Sequence, residues 1–86
     1  MVPVQSPDHF VLGRSLREFR TRRGLTQVAF GFRASLHRNY VGAIERGEIN
    51  PSFRILLKLA RGLDAPLSEL ILPYEDRIAD ATKARR

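Results

Sequence analysis

The 86-residue sequence has no cysteine. That excludes a disulfide scaffold, thiol redox chemistry and any zinc site built on thiolates. Its two histidines, His9 and His37, stand far apart, so no metal site with a normal ligand count is expected. Ser35 and His37 are two apart in a turn-like stretch with no carboxylate placed beside them, which is not a nucleophile–base pair. No glycine-rich motif of the phosphate-cradling kind occurs. Neither a catalytic site nor a cofactor is therefore expected. No apolar run approaches the ~20 residues of a membrane span. Met1–Pro7 has neither the basic start nor the apolar stretch of a secretory signal. The expectation is a cytoplasmic protein with no membrane partner. Strand-like alternation of useful length and internal repeats are also missing.

What is present suits one small domain. The apolar share is 43%, and the six glycines bring it to about half, the balance of an ordinary globular protein. Charge is more telling. Fifteen basic residues face nine acidic ones, for a net charge of +6, and thirteen of the fifteen are arginine. Residues 1–46 carry eight arginines against Asp8, Glu18 and Glu45, whereas residues 47–86 are nearly balanced. An arginine-dominated half points to a phosphate-bearing partner, nucleic acid before membrane.

Along the chain, Ser6-Pro7-Asp8 reads as a helix start, with Ser6 as N-cap, after a loose N-terminal segment. Leu12, Leu16 and Phe19 form one helical stripe, which Gly24 closes. Thr26 caps a short helix that turns Phe30 inward. His37 caps the next, Arg38 to Arg46, with Val41 and Ile44 inward. Ser52 opens a fourth helix, with Phe53, Leu56, Leu59, Ala60 and Leu63 facing the core. Pro66 starts a fifth, Leu67 to about Leu72, and Pro73 is expected to close it. Tyr74, Ile78 and Ala81 keep helical spacing, which leaves room for an extra C-terminal helix. The expected organisation is a flexible segment over 1–7, an all-α five-helix bundle over 8–72 and a tail over 73–86.

Gln27–Gly47 places two short helices around a turn of about three residues, the spacing of a helix-turn-helix. Gly31 supplies the small residue needed where the second helix crosses the first. Val41 and Ile44 anchor that second helix, leaving Arg38, Asn39, Gly42, Ala43 and Arg46 outward. Residues 12–72 resemble the single-domain helix-turn-helix family of phage repressors and xenobiotic-response-element-type bacterial regulators. The similarity is carried by LGRSLREFR at 12–20, GLTQ at 24–27, HRNYV at 37–41, IERGEINPS at 44–52 and LLKLARGL at 56–63. The stretch RNYVGAIERG is most similar to the restriction–modification controller proteins. Three departures from the family pattern stand out: Ser35 where glycine is usual, Gly31 where alanine is usual, and Asp64 in place of glycine.

The resemblance implies double-stranded DNA as partner. Arg38 is then placed to read guanine, Asn39 adenine or a phosphate, and Ala43 a thymine methyl. Gly42 is expected to let the backbone approach DNA closely. The family's phosphate-holding glutamine matches Gln27, and His37, Arg46 and Asn50 flank the same surface. The family's ion pair between the first and recognition helices matches Arg20 and Glu45. Leu67, Leu70, Ile71, Leu72 and Tyr74 make an apolar cluster too rich for so short a helix, and a homodimer patch is expected there. The function so implied is a sequence-specific transcriptional regulator acting as a dimer on an inverted-repeat operator. Two alternatives stay open at this point: an antitoxin that also binds a toxin, and a protein-interaction module that binds no DNA.

Overall fold

The computed structural model describes the backbone of residues 6–84 and side chains of residues 6–80. The expected looseness of Met1–Gln5 and the side chain of Ala81 lie outside the described residues. The helices are α1 (Pro7–Arg22), α2 (Gln27–Ala34), α3 (Arg38–Glu45), α4 (Phe53–Gly62) and α5 (Leu67–Ala84), with no strand among the described residues. The first helix packs on α3 and α5, the second on α3 and α4.

Helix starts follow the capping rule. The Ser6, Thr26 and Ser52 hydroxyls accept from the backbone N–H groups of His9, Ala29 and Ile55, and His37 Nδ1 accepts from Asn39 N–H at 3.0 Å. Helix ends share one device. After each of α1 to α4, two reversed hydrogen bonds close the last turn, as with Gly24 N–H to the Thr21 carbonyl and Leu25 N–H to the Arg20 carbonyl. The device needs a left-handed residue. Gly24 and Gly47 supply it after α1 and α3, but Ser35 (φ 57°) and Asp64 (φ 53°) supply it after α2 and α4.

Leu16, Phe30, Val41, Ile44, Leu59, Leu63 and Leu70 are buried together, so all five helices share one core. Gly13 touches backbone instead: a Cβ there would lie 2.4 Å from the Ile44 carbonyl oxygen and 2.5 Å from that of Glu45. The first helix therefore meets the end of α3 with no side chain between them. Gly31 does the same within the helix-turn-helix, where a Cβ would lie 2.5 Å from the Leu36 carbonyl oxygen.

Two expectations are corrected. Phe53 keeps the helical register of Ala60, but it is 67% exposed, because no residue of α4 before Leu59 is buried. Pro73 does not end α5, which continues to Ala84. Proline deprives Glu69 of a backbone donor, yet contacts with α1 hold the second half. Tyr74 Oη donates to Asp8 Oδ1 at 2.9 Å, and Arg77 pairs with Glu18. The Asp8 carboxylate holds the Tyr74 hydroxyl above its ordinary titration range.

Pro73→Ala should thus stabilise the protein by about 1–3 kcal/mol, read from the denaturant midpoint. Ser35→Gly should stabilise it by about 0.5–1 kcal/mol, because relief of the left-handed Cβ exceeds the added freedom of the unfolded chain. No gain from Ser35→Gly would mean that Ser35 carries no strain.

Candidate nucleic-acid interface

The interface is built on one buried carboxylate. Arg20 of α1 donates to Glu45 of α3 through Nε at 2.7 Å and Nη2 at 3.1 Å, in the paired geometry that suits a guanidinium and a carboxylate. Its Nη1 donates to the Leu25 carbonyl at 2.8 Å, in the link leading to α2. Gln27, first residue of α2, donates from Nε2 to Glu45 Oε1 at 3.0 Å. The two charged side chains are only 12% and 3% exposed. A single carboxylate thereby ties α1, α2 and α3. Family resemblance points to Arg20 and Glu45 as a pair, and to Gln27 as either a phosphate ligand or a helix-end hydrogen bond within the protein; its bond to Glu45 is the third contact. A side-chain amide reaching a carboxylate eighteen residues away leaves no local pattern to find.

With α3 fixed in this way, its leading end faces solvent. His37, Arg38 and Asn39 are exposed and Ala43 is half-buried. The Arg38 and Asn39 side chains have no hydrogen bond or ion pair among the described residues. Gly42 does not stand on the outer face as expected; it is buried. A Cβ there would lie 3.0 Å from Arg46 Nη1 and 3.4 Å from Gln27 Oε1. The glycine makes room for Gln27 and Arg46 to converge over the helix.

Arg46 itself is held by Glu48, through Nε at 2.8 Å and Nη2 at 3.1 Å. The Glu48 hydrogen bonds keep the Arg46 guanidinium protonated above its ordinary range, and Arg46 keeps the Glu48 carboxyl below the usual carboxylate range. This pair spans two residues of a turn, so helical spacing gives no hint of it. Asn50 is exposed in the loop before α4.

The apolar cluster divides. Leu70 is 1% exposed and belongs to the core, which corrects its assignment to a surface patch. Leu67 and Ile71 are half-buried against that core, and Tyr74 is half-buried and bonded to Asp8. Leu72 is 57% exposed. Leu70 and Leu72 are two apart on one helix, so when Leu70 turns inward Leu72 turns outward.

Comparison with known proteins gives a consistent picture. Residues 16–70 match the helix-turn-helix family model. Among solved structures the chain is similar to the restriction-modification controller protein C.AhdI from Aeromonas hydrophila, with 45% identity and a TM-score of 0.74, covering 76% of this chain and 98% of that one. Control protein C.SmaI of Serratia marcescens is 31% identical over 61 residues, 71% of this chain and 73% of that protein. A Neisseria hypothetical transcription factor from Neisseria meningitidis is 31% identical over 81 residues, 90% of this chain and 76% of that protein.

Removing one partner of a buried ion pair leaves the other uncompensated, at about 3–5 kcal/mol. Glu45→Ala should approach that cost in thermal or chemical unfolding. Replacing Arg20 and Glu45 together by apolar residues of similar volume should cost clearly less than Glu45→Ala alone. Equal costs would show that the pair acts through packing, not charge.

Proposed function

The chain belongs to the helix-turn-helix family of transcriptional regulators, and from that membership we propose that it acts as a homodimer on an inverted-repeat DNA operator, in the manner of a controller protein. One observation carries the reading. The leading end of α3 presents Arg38 and Asn39 exposed and uncommitted, while Glu45 and its partners hold the other end of the helix to the rest of the molecule. A rigid helix with free polar groups at its tip is what reading base edges in the major groove requires.

In this reading Arg38 takes the O6 and N7 acceptors of a guanine, and Asn39 pairs with adenine or a phosphate. Ala43 meets a thymine methyl. Gln27 and Arg46, converging over Gly42, grip the sugar–phosphate backbone. The Gln27 amide gives one hydrogen to Glu45 and has a second for a phosphate oxygen, so the same group both braces α3 and positions it on DNA. His37 accepts the Asn39 N–H through Nδ1, leaving Nε2–H free for a neighbouring phosphate, and Asn50 extends the row. The arginine-rich first half adds a sequence-independent attraction.

The dimer is proposed through α5. Leu72, with the half-buried Leu67 and Ile71, gives an apolar surface that a second copy covers most simply by twofold symmetry. Two recognition helices about 34 Å apart would then read half-sites one helical turn apart. The similarity to C.AhdI covers nearly the whole of that chain, which supports a controller-type role.

Selection of bound duplexes from a random pool tests the reading directly. A dimer touching about 6–10 phosphates should lose ~10³–10⁵ in affinity between about 50 and about 200 mM salt. Arg38→Ala should cost about 1–3 kcal/mol and relax base preference at one symmetric pair of positions. If it weakens every sequence by the same factor, Arg38 touches phosphate and not base. Leu72→Glu should yield folded monomers in sedimentation, and a dimer unchanged by it would remove α5 as the interface.

A further inference from the structure

The cleft between α1 and the turn after α3 shares Arg46 with the reading above, but its α1 wall plays no part in it. It is open to solvent and has a volume of about 1050 Å³, with Phe10, Arg14 and Arg17 on one wall and Arg46 and Glu48 on the other. Gly13 explains why the walls stand so close. Because that residue puts the backbone of α1 directly against the Ile44 and Glu45 carbonyls, the side chains that follow it, Arg14 and Arg17, flank the end of the recognition helix.

The charge within the cleft is one-sided once existing pairs are counted. Glu45 is taken by Arg20, Glu48 by Arg46, and Glu18 by Arg77, with Arg14 at a looser 3.7 Å. Arg17 has no ion pair among the described residues, and Arg22, also on the wall, lies over the Phe19 ring. Arg14, only loosely paired, and Arg17, unpaired among the described residues, stand one turn apart on α1, facing solvent. A cleft open to solvent and edged by arginines suits an extended polyanion better than a compact ligand, which needs a site that encloses most of its surface.

The geometry points to a second DNA-backbone contact: α1 lays Arg14 and Arg17 along the phosphates beside the groove that α3 enters. The cleft continues the row begun by Arg46, so one strand of backbone would pass from the end of α3 onto α1. The first helix then supports α3 from behind and adds to its footprint. This inference rests on the DNA-binding reading.

The test uses Arg14→Gln and Arg17→Gln, singly and together, in the full chain. Both residues are exposed, so the helical spectrum and melting temperature should match those of the unmodified protein. Each protein is titrated over a range of salt against the duplex selected by the unmodified protein and against a random-sequence duplex. The slope of log affinity on log salt should become shallower by about one per arginine per bound protomer, equally on both duplexes. Phosphate-ethylation interference should lose its positions outside the α3 groove and keep those inside it. Arg17→Lys, which keeps the charge, should restore the slope. An unchanged slope with an unchanged interference pattern overturns the α1 contact while the DNA-binding reading stands. If the unmodified protein itself shows no salt-dependent DNA binding, that reading falls first, and the contact with it.

Discussion

Everything on the outer face of this molecule depends on where Glu45 keeps its charge. A carboxylate only 3% exposed is tolerable because it accepts from Arg20 twice and from Gln27 once, and those donors come from different helices. Ionic hydrogen bonds are directional as well as strong, so they fix angles between helices that apolar packing alone leaves softer. Leu16, Phe30, Val41 and Ile44 hold α1, α2 and α3 together; Glu45 sets how they are oriented. The exposed end of α3 has a defined direction because the opposite end is anchored polar to polar.

Features written in local chemistry were legible in the sequence. Ser6, Thr26, His37 and Ser52 are caps because their side chains reach a backbone N–H two or three residues on, and that needs no knowledge of the fold. Gly24 and Gly47 are stops for a similarly local reason. What escaped was set by partners distant in the chain. Pro73 reads as a terminator until Asp8 and Glu18 on another helix are seen holding the residues beyond it. Leu70 and Leu72 look equivalent as apolar residues, but two positions apart on one helix they face opposite ways, and packing against the core takes Leu70 inward. Gly42 has no side chain to signal its use; its neighbours Gln27 and Arg46 need the space above it.

The departures at positions 31 and 35 are two halves of one arrangement. The Leu36 N–H donates to the Gly31 carbonyl at 2.8 Å, across the turn where Ser35 adopts the left-handed conformation. A Cβ on residue 31 would lie against the Leu36 carbonyl oxygen, so the absence of a side chain there lets the turn close tightly around a serine. The strain at Ser35 and the helix propensity lost at Gly31 are costs of the same short connection, and that connection decides how α2 hands the chain to α3.

The backbone contact at Gly13 has a mechanical consequence. Helices separated by side chains can slide or roll as rotamers adjust, but α1 and α3 meet carbonyl to Cα, with nothing compliant between them. The fifth helix packs on α1 in turn. If two copies pair through α5, a stiff train of helices runs from the twofold axis to each recognition helix. Such a protein behaves as a caliper with fixed jaws. Operators whose half-sites are set slightly wrong would have to twist or bend to fit such a dimer, so the stiffness of the intervening DNA would become part of what it selects.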